Sequence, residues 1–175
     1  MKNILLGIVA GGTLVISGCA GDHGHPDSAM VDHHTMQQPG HHGSALGMGN
    51  TLAGESGKEI DVSRTITVTA RDSMRFIHQP INVKKGETIK FVVTNKGIET
   101  HEFVIGTKDE HRIHGQMMAN NPNMHHGPGG NSITIESGES MAIIWKFAYA
   151  QQIEAACNIK GHYEDGMFSP INVVD

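Results

Sequence analysis

The stretch CNIKGHYEDGM, residues 157–167, is the most informative part of this 175-residue chain. It contains a cysteine, a histidine and a methionine with four residues between neighbours, at Cys157, His162 and Met167. A short loop between two β-strands can fold so that three side chains with this spacing point to one centre. Thiolate, imidazole and thioether groups are the donors that select soft or intermediate transition metals. The stretch therefore predicts a metal centre near the end of the chain.

A fourth ligand has to come from another part of the sequence. His101 is the favoured candidate because it begins a predicted strand directly after the glycine-containing turn at 95–100. His78 and His111 are its rivals, although His78 precedes Gln79 and Pro80 and is expected in a loop. Two imidazoles, one thiolate and a weak axial thioether form the ligand set of a trigonal electron-transfer copper site. Copper is therefore the predicted metal.

Each of these donors also has a simpler interpretation. Free cysteines are often buried for structural reasons, so Cys157 can be a core thiol. Met167 can pack in the core, and His101 can be an exposed residue at a strand end. The spacing in 157–167 favours the metal-site interpretation for the set as a whole.

The chain around this stretch has the pattern of an all-β domain. Residues 65–69 alternate polar and apolar side chains, which is typical of a half-buried strand. Further short β-rich segments, separated by glycine-containing turns, occur at 76–83, 88–94, 102–105, 132–136, 141–147, 153–157 and 171–174. No segment has a convincing amphipathic helical pattern. Short strands at regular spacing predict an antiparallel sandwich or barrel.

A long insertion at about 107–131 interrupts this pattern. It contains seven candidate ligands for additional copper: His111, His114, Met117, Met118, Met124, His125 and His126. Loops of this length are usually functional or disordered. The insertion is therefore either a second copper site or a flexible polar loop, and part of it could form a short helix.

The segment Thr100-His101-Glu102-Phe103 and the Cys-x4-His-x4-Met spacing resemble the cupredoxin family, which includes plastocyanin, azurin and rusticyanin. The resemblance covers about 64–175 and implies a Greek-key β-sandwich. It implies one type 1 copper held by His101, Cys157, His162 and Met167. It also implies that His162 is the partly exposed ligand through which electrons pass.

One position departs from the family pattern. In many cupredoxins an asparagine or serine follows the first ligand histidine and hydrogen-bonds to the cysteine loop, whereas this chain has Glu102. The contact is therefore expected either to be a different one or to be made by Asn158 or Thr100. Such contacts tune a metal site without changing its ligands.

The N-terminus, 1–19, is interpreted as an export signal with a lipobox. Lys2 precedes a mostly apolar run from Ile4 to Ile16, which is shorter than the roughly 20 residues that span a bilayer. The run ends in Ile-Ser-Gly-Cys, so Cys19 is the expected lipidation site. Because alanine rather than aspartate follows Cys19, we expect a periplasmic protein anchored to the outer membrane. The alternative is ordinary cleavage near Cys19, which would release a soluble protein.

Residues 20–60 are expected to form a disordered tether rich in histidine and methionine, followed by the domain at 61–175. Its histidines are His23, His25, His33, His34, His41 and His42, and its methionines are Met30, Met36 and Met48. Histidine-rich tracts commonly bind metals. The segment is therefore either a source of further weak copper ligands or only a spacer.

The composition of the chain argues against some classes of function and favours others. A net charge of −5 and the absence of a basic stripe argue against nucleic-acid binding. The chain has 13 histidines and 10 methionines, far more than one copper site needs. This surplus favours a protein of copper tolerance that sequesters or relays copper. The alternative is an electron carrier with a redox partner, and an enzyme is not expected because one site with four protein ligands offers little open coordination.

Overall fold

A computed structural model describes residues 50–149 and 152–175 of the chain. The signal segment and most of the predicted tether therefore lie outside the described residues. The described part forms strands, a 3-10 helix at Glu59–Asp61 and one α-helix, α1, at Lys108–Asn120. The strands are β1 Asn50–Thr51, β2 Gly54–Ser56, β3 Arg64–Arg71, β4 Arg75–Ile77, β5 Ile81–Lys84, β6 Thr88–Asn95, β7 His101–Gly106, β8 Ser132–Ile135, β9 Ser140–Lys146, β10 Gln152–Ala156 and β11 Phe168–Val174.

The strands form two sheets that pack face to face. One sheet has the order β1-β2-β9-β6-β3-β4, and the other has the order β5-β11-β10-β7-β8. The β3–β6 and β5–β11 pairs are parallel, and the remaining neighbours are antiparallel. Along β3, Ile66, Val68 and Ala70 are buried and alternate with exposed or half-buried residues, as the sequence pattern predicts. The predicted all-β sandwich is confirmed.

Aromatic side chains fill the space between the sheets. Phe103 of β7 packs edge-on against Phe76, with 5.2 Å between ring centroids, and in a tilted arrangement against Phe91 at 5.5 Å. Trp145 of β9 is fully buried, and its Nε1 donates a hydrogen bond to the Ala53 carbonyl at 3.4 Å. The two Phe103 contacts hold β7, the strand that carries His101, against the facing sheet.

Two short paired strands precede residue 61, the start that the sequence analysis gives the domain. Strand β2 pairs with β9, and Ala53 is fully buried. The Leu52 N–H donates to Glu110 Oε1 at 2.8 Å, which joins this segment to α1. The sequence does not reveal this strand, because Gly54–Ser56 is held by backbone pairing and has no apolar alternation to recognise. Gly54 is required there, since its φ is 144° and a Cβ would collide with the Lys146 carbonyl.

Helix α1 occupies half of the predicted insertion, although the sequence showed no convincing amphipathic pattern. It begins with a capping box: Glu110 N–H donates to Thr107 Oγ1 at 3.3 Å, and Thr107 N–H donates to Glu110 Oε2 at 2.8 Å. The helix packs against β7 and β10. Its buried residues are mainly polar, Glu110, His111, His114 and Met118, so hydropathy could not reveal its buried face.

Among the described residues, no helix is long and apolar enough to cross a membrane.

Candidate metal centre

The five-stranded sheet brings the ends of three strands together. β7 and β10 are antiparallel, with Val104 opposite Ala156, so the start of β7 lies beside the end of β10. β10 and β11 are also antiparallel, with Ala156 opposite Phe168. The 157–167 loop joins these two strands at the same end of the sheet. Strand pairing therefore places His101 next to this loop, 56 positions away in sequence.

The loop itself is closed by backbone hydrogen bonds. Cys157 N–H donates to the Met167 carbonyl at 3.0 Å, and Met167 N–H donates to the His162 carbonyl at 2.9 Å. Gly161 and Gly166 have φ values of 90° and 94°, a region that other residues adopt only with strain. Because each glycine directly precedes a predicted ligand, both set the direction from which His162 and Met167 enter the centre.

Three of the predicted ligands converge on one point. One donor atom from each of His101, Cys157 and His162 lies within 4.8 Å of the other two. These atoms are a ring nitrogen of each histidine and the cysteine sulfur. Cys157 Sγ is 3.3 Å from His162 Nδ1. His101, Cys157 and Met167 are fully buried, and Met167 belongs to the same core cluster as Cys157. His162 is 9% exposed, which makes it the most accessible of the four.

Asp72 orients the His101 ring. Its Oδ1 is 3.1 Å from His101 Nε2, while the buried Nδ1 of His101 has no hydrogen-bond partner. Asp72 also accepts hydrogen bonds from the N–H groups of Ile98 at 2.8 Å and Glu99 at 3.3 Å. The hydrogen bond from Ile98, assisted by those from Glu99 and His101, lowers the pKa of Asp72. An ionised Asp72 holds the proton of His101 on Nε2 and leaves Nδ1 free to coordinate a metal.

Cys157 is a free, buried thiol. Burial raises its pKa to about 12, so the metal-free protein carries a neutral thiol at neutral pH. The Glu102 N–H points at its sulfur, at 3.3 Å. An unpartnered imidazole nitrogen, a second imidazole and a thiol at this separation, with a buried thioether in the same cluster, fit the donor set of a copper ion.

Neither residue expected to replace the family's asparagine makes a contact across the loop. Thr100 Oγ1 donates to Glu136 Oε2 at 2.6 Å. The amide of Asn158 contacts His111 Nδ1 at 3.1 Å, and His111 Nε2 lies 3.2 Å from the Glu154 carbonyl. The Glu102 backbone therefore provides the contact to the cysteine sulfur. Because both nitrogens of His111 have partners within the protein, its ring is held as part of the structure.

The other candidate donors fall into separate groups. Met118, Met124 and His125 line a surface cleft of about 570 Å³ that reaches His162, and Met117 is half-buried outside it. His114 and His126 lie together beside Glu102 instead, a grouping that sequence reasoning missed because it did not treat Glu102 as a ligand. His78, the rival of His101, is hydrogen-bonded to Ser169 Oγ at 2.7 Å. Cys19 and the histidines of the tether lie outside the described residues: His23, His25, His33, His34, His41 and His42.

Comparison with known proteins decides the family. No family model matches the chain. The copper-resistant cuproprotein CopI of Rubrivivax gelatinosus is 38% identical over 76% of this chain and 80% of its own length. The protein of the same name from Vibrio cholerae is 30% identical over 84% of this chain and 86% of its own length. The chain belongs to the CopI family of copper-resistance cuproproteins.

The fold of this CopI family member is that of the cupredoxins. Auracyanin B matches 65% of the chain and 91% of its own length, with a TM-score of 0.56 and 18% sequence identity. An auracyanin from Roseiflexus castenholzii matches the same share of the chain with a TM-score of 0.54 and 20% identity. The resemblance to cupredoxins that the sequence indicated is confirmed.

Proposed function

We propose that this CopI family member binds one type 1 copper ion through His101, Cys157, His162 and Met167 and contributes to copper tolerance by sequestering or relaying copper. The observation that carries the proposal is the convergence of three donor atoms within 4.8 Å, one of them a buried imidazole nitrogen without a partner. The copper-resistance function named for the relatives supports it.

The protein contributes a rigid and nearly dry set of donors. Copper bound there would supply one-electron redox chemistry. His101 begins β7, and Cys157 directly follows β10, which pairs with β7, so their separation is set before any metal arrives. A proton has to leave the Cys157 sulfur when it becomes a ligand, because burial raises the pKa of the thiol to about 12. We infer a role without enzymatic turnover, because four protein donors leave little coordination for a substrate.

We also propose that the protein is exported to the periplasm and anchored to the outer membrane through Cys19. The lipobox sequence supports the anchor. A copper-transfer or redox partner would dock over His162, since the other three ligands are fully buried. The cleft beside His162 is lined by Met118 and Met124, whose thioethers suit Cu(I) in transit.

A simple electron carrier is the second candidate function. It is favoured by the same exposure of His162 and needs nothing outside the four core ligands. The two functions differ in what they require of the tether, because a carrier uses it only as a spacer. A protein that buffers copper uses its histidines and methionines as ligands.

Deleting residues 21–48 distinguishes these functions and spares β1 and β2. We expect the deletion to leave one coloured copper per chain, to lower the total copper bound, and to reduce copper tolerance in a bacterium lacking its own family member. Copper counting, visible spectra and growth at rising copper concentrations are the measurements, and fractionation of the same cells locates the full chain. Unchanged tolerance with an unchanged electron-transfer rate would instead identify a carrier. A full chain that binds no coloured copper would refute the proposed site.

Asp72→Ala is expected to weaken copper binding by about 10–100-fold, the usual effect of removing a group that orients a ligand histidine. The change frees the His101 ring and allows the proton to move to Nδ1. Affinity measured against a competing chelator tests this. Asp72→Asn is the matched control, because its amide oxygen can still accept from His101 and the backbone. Equal affinities for the Ala variant and the wild type would show that Asp72 does not position His101.

A further inference from the structure

Glu102 faces away from the candidate copper centre. Neighbouring residues of a strand point to opposite faces of the sheet, so His101 faces the core and Glu102 faces the outer side of β7. That outer side is covered by α1 and by the segment after it, and the Glu102 side chain is fully buried. A second set of polar groups therefore lies one residue away from the predicted copper ligands.

The burial of this carboxylate is not compensated by hydrogen bonds. Both oxygens of Glu102 are buried without a hydrogen-bond partner. The Nε2 atoms of His114 and His126 are buried without partners as well. Burying a charged or polar group without a compensating hydrogen bond is strongly unfavourable. The two carboxylate oxygens and the two imidazole nitrogens lie close together without hydrogen-bond partners, which favours a ligand shared among them.

The distances fit a shared ligand better than direct pairing. Glu102 Oε2 lies 3.5 Å from His114 Nε2, and Glu102 Oε1 lies 3.4 Å from His126 Nε2. These separations are longer than good hydrogen bonds. Ligand atoms roughly 2.0 Å from one ion in a tetragonal site are about 2.8 Å apart when adjacent and about 4 Å apart when opposite, and the observed separations of 3.5 and 3.4 Å lie within this range. The donor atoms of the three residues all lie within 4.8 Å of one another, and the two imidazole rings are 4.9 Å apart between centroids.

Each of the three side chains is fixed by its own element. His126 is held over β8 by two hydrogen bonds: its N–H donates to Thr134 Oγ1 and its carbonyl accepts from Thr134 N–H, both at 2.9 Å. Thr134 is the residue opposite Glu102 in the β7–β8 pair, so this anchor places His126 beside the carboxylate. His114 lies on the buried face of α1, whose start is fixed by the Thr107 capping box. The cluster is thus preorganised rather than assembled from mobile side chains.

We propose that Glu102, His114 and His126 form a second metal site, which binds a Cu(II) ion. Two imidazoles and a carboxylate lack the thiolate and thioether donors that favour Cu(I), so the set suits a divalent ion. Cu(II) binds such nitrogen and oxygen sites more tightly than the other divalent first-row metals, Zn(II) included. With three protein ligands, the site keeps open positions for water. Its existence does not depend on the function proposed for Cys157, because no ligand is shared.

Copper counting in a full-length mature chain tests the proposal. The six tether histidines are first replaced by glutamine, so that they do not contribute ions. Cu(II) alone is then added, weakly held metal is removed with a chelator, and the remaining copper is examined by visible absorption and electron paramagnetic resonance. We expect two retained ions, one with an intense visible band and one with the nearly colourless spectrum of nitrogen and oxygen coordination.

Four variants of that chain separate the two sites. His126→Gln and Glu102→Gln should each lose the nearly colourless ion and keep the coloured one. His125→Gln is the matched control, since it is adjacent and exposed, and it should keep both. Cys157→Ser should lose the coloured ion and keep the other, so failure at one site is distinguishable from failure at the other.

Three results would overturn the second site. One is a single retained ion in the parent chain. Another is persistence of the nearly colourless ion in both His126→Gln and Glu102→Gln, which would reduce the cluster to a buried ion pair. The third is retention of Zn(II) there against an equal concentration of Cu(II), which would overturn the choice of copper.

Discussion

Cys157→Ser is expected to abolish the intense visible band of the copper-loaded protein and to cause the largest loss of copper affinity of any single substitution at the core site. The band arises from charge transfer between a thiolate and copper, and a serine hydroxyl cannot supply it. Cys157 is the one thiol in the described residues, so no neighbouring sulfur can substitute for it. Visible absorption during copper titration measures the first effect, and competition with a chelator measures the second.

Met167→Leu serves as the comparison for this experiment. Leucine fills a similar buried volume but removes the weak axial donor, so the band should persist while the reduction potential rises. Circular dichroism should show both variants folded, because neither change alters the strand pairs that close the loop. A Cys157→Ser protein with an unaltered visible spectrum would mean that the copper is held elsewhere.

Phe103→Ala is expected to lower the free energy of unfolding by about 3–5 kcal/mol, the usual cost of removing a buried phenylalanine. Phe103 is fully buried between Phe76 and Phe91, and the neighbouring core offers no side chain that could fill the gap without moving. Denaturant unfolding followed by the fluorescence of Trp145, the only tryptophan, measures the loss.

Phe168→Ala is the control for this stability measurement. Phe168 is 41% exposed and stacks on Tyr163 at 5.2 Å at the surface, so its loss should cost about 1 kcal/mol or less. Equal losses for the two variants would show that the Phe103 cluster does not dominate the core. The Phe103 variant should also bind copper more weakly, because β7 carries His101.

The core of the candidate site could be predicted from the sequence because its candidate ligands follow local sequence patterns. Cys157, His162 and Met167 lie in one short loop, and their spacing reflects the geometry of that loop. His101 could be selected because strand alternation and a preceding turn locate a strand start. The β-sandwich could be predicted from short segments in which polar and apolar residues alternate, because that alternation reflects the exposed and buried faces of each strand.

The positions of Asp72, helix α1 and Glu102 in the site depend on contacts between residues distant in sequence, which no local sequence pattern indicates. Asp72 reaches His101 from a turn 29 residues away, and nothing around Asp72 distinguishes it from a solvated charge. Helix α1 buries polar side chains, so the usual apolar period is absent. Its capping box, Thr107 with Glu110, was the one sequence signal that could have identified it. Glu102 appeared only as a departure from a family pattern, because its partners come from α1 and from beside β8.

Under the copper-binding role proposed for the tether, the hydrogen bond from the Leu52 N–H to Glu110 sets where that copper would reach the domain. This bond fixes the entry of the tether into the domain at the start of α1, the helix that presents His114. His42 precedes Leu52 by ten residues in the sequence, and a chain of ten residues spans at most about 35 Å. An ion held there would meet the domain as an intramolecular partner, at an effective concentration in the millimolar range. Copper capture by the tether would then be followed by transfer over a few nanometres, without diffusion through the surrounding solution.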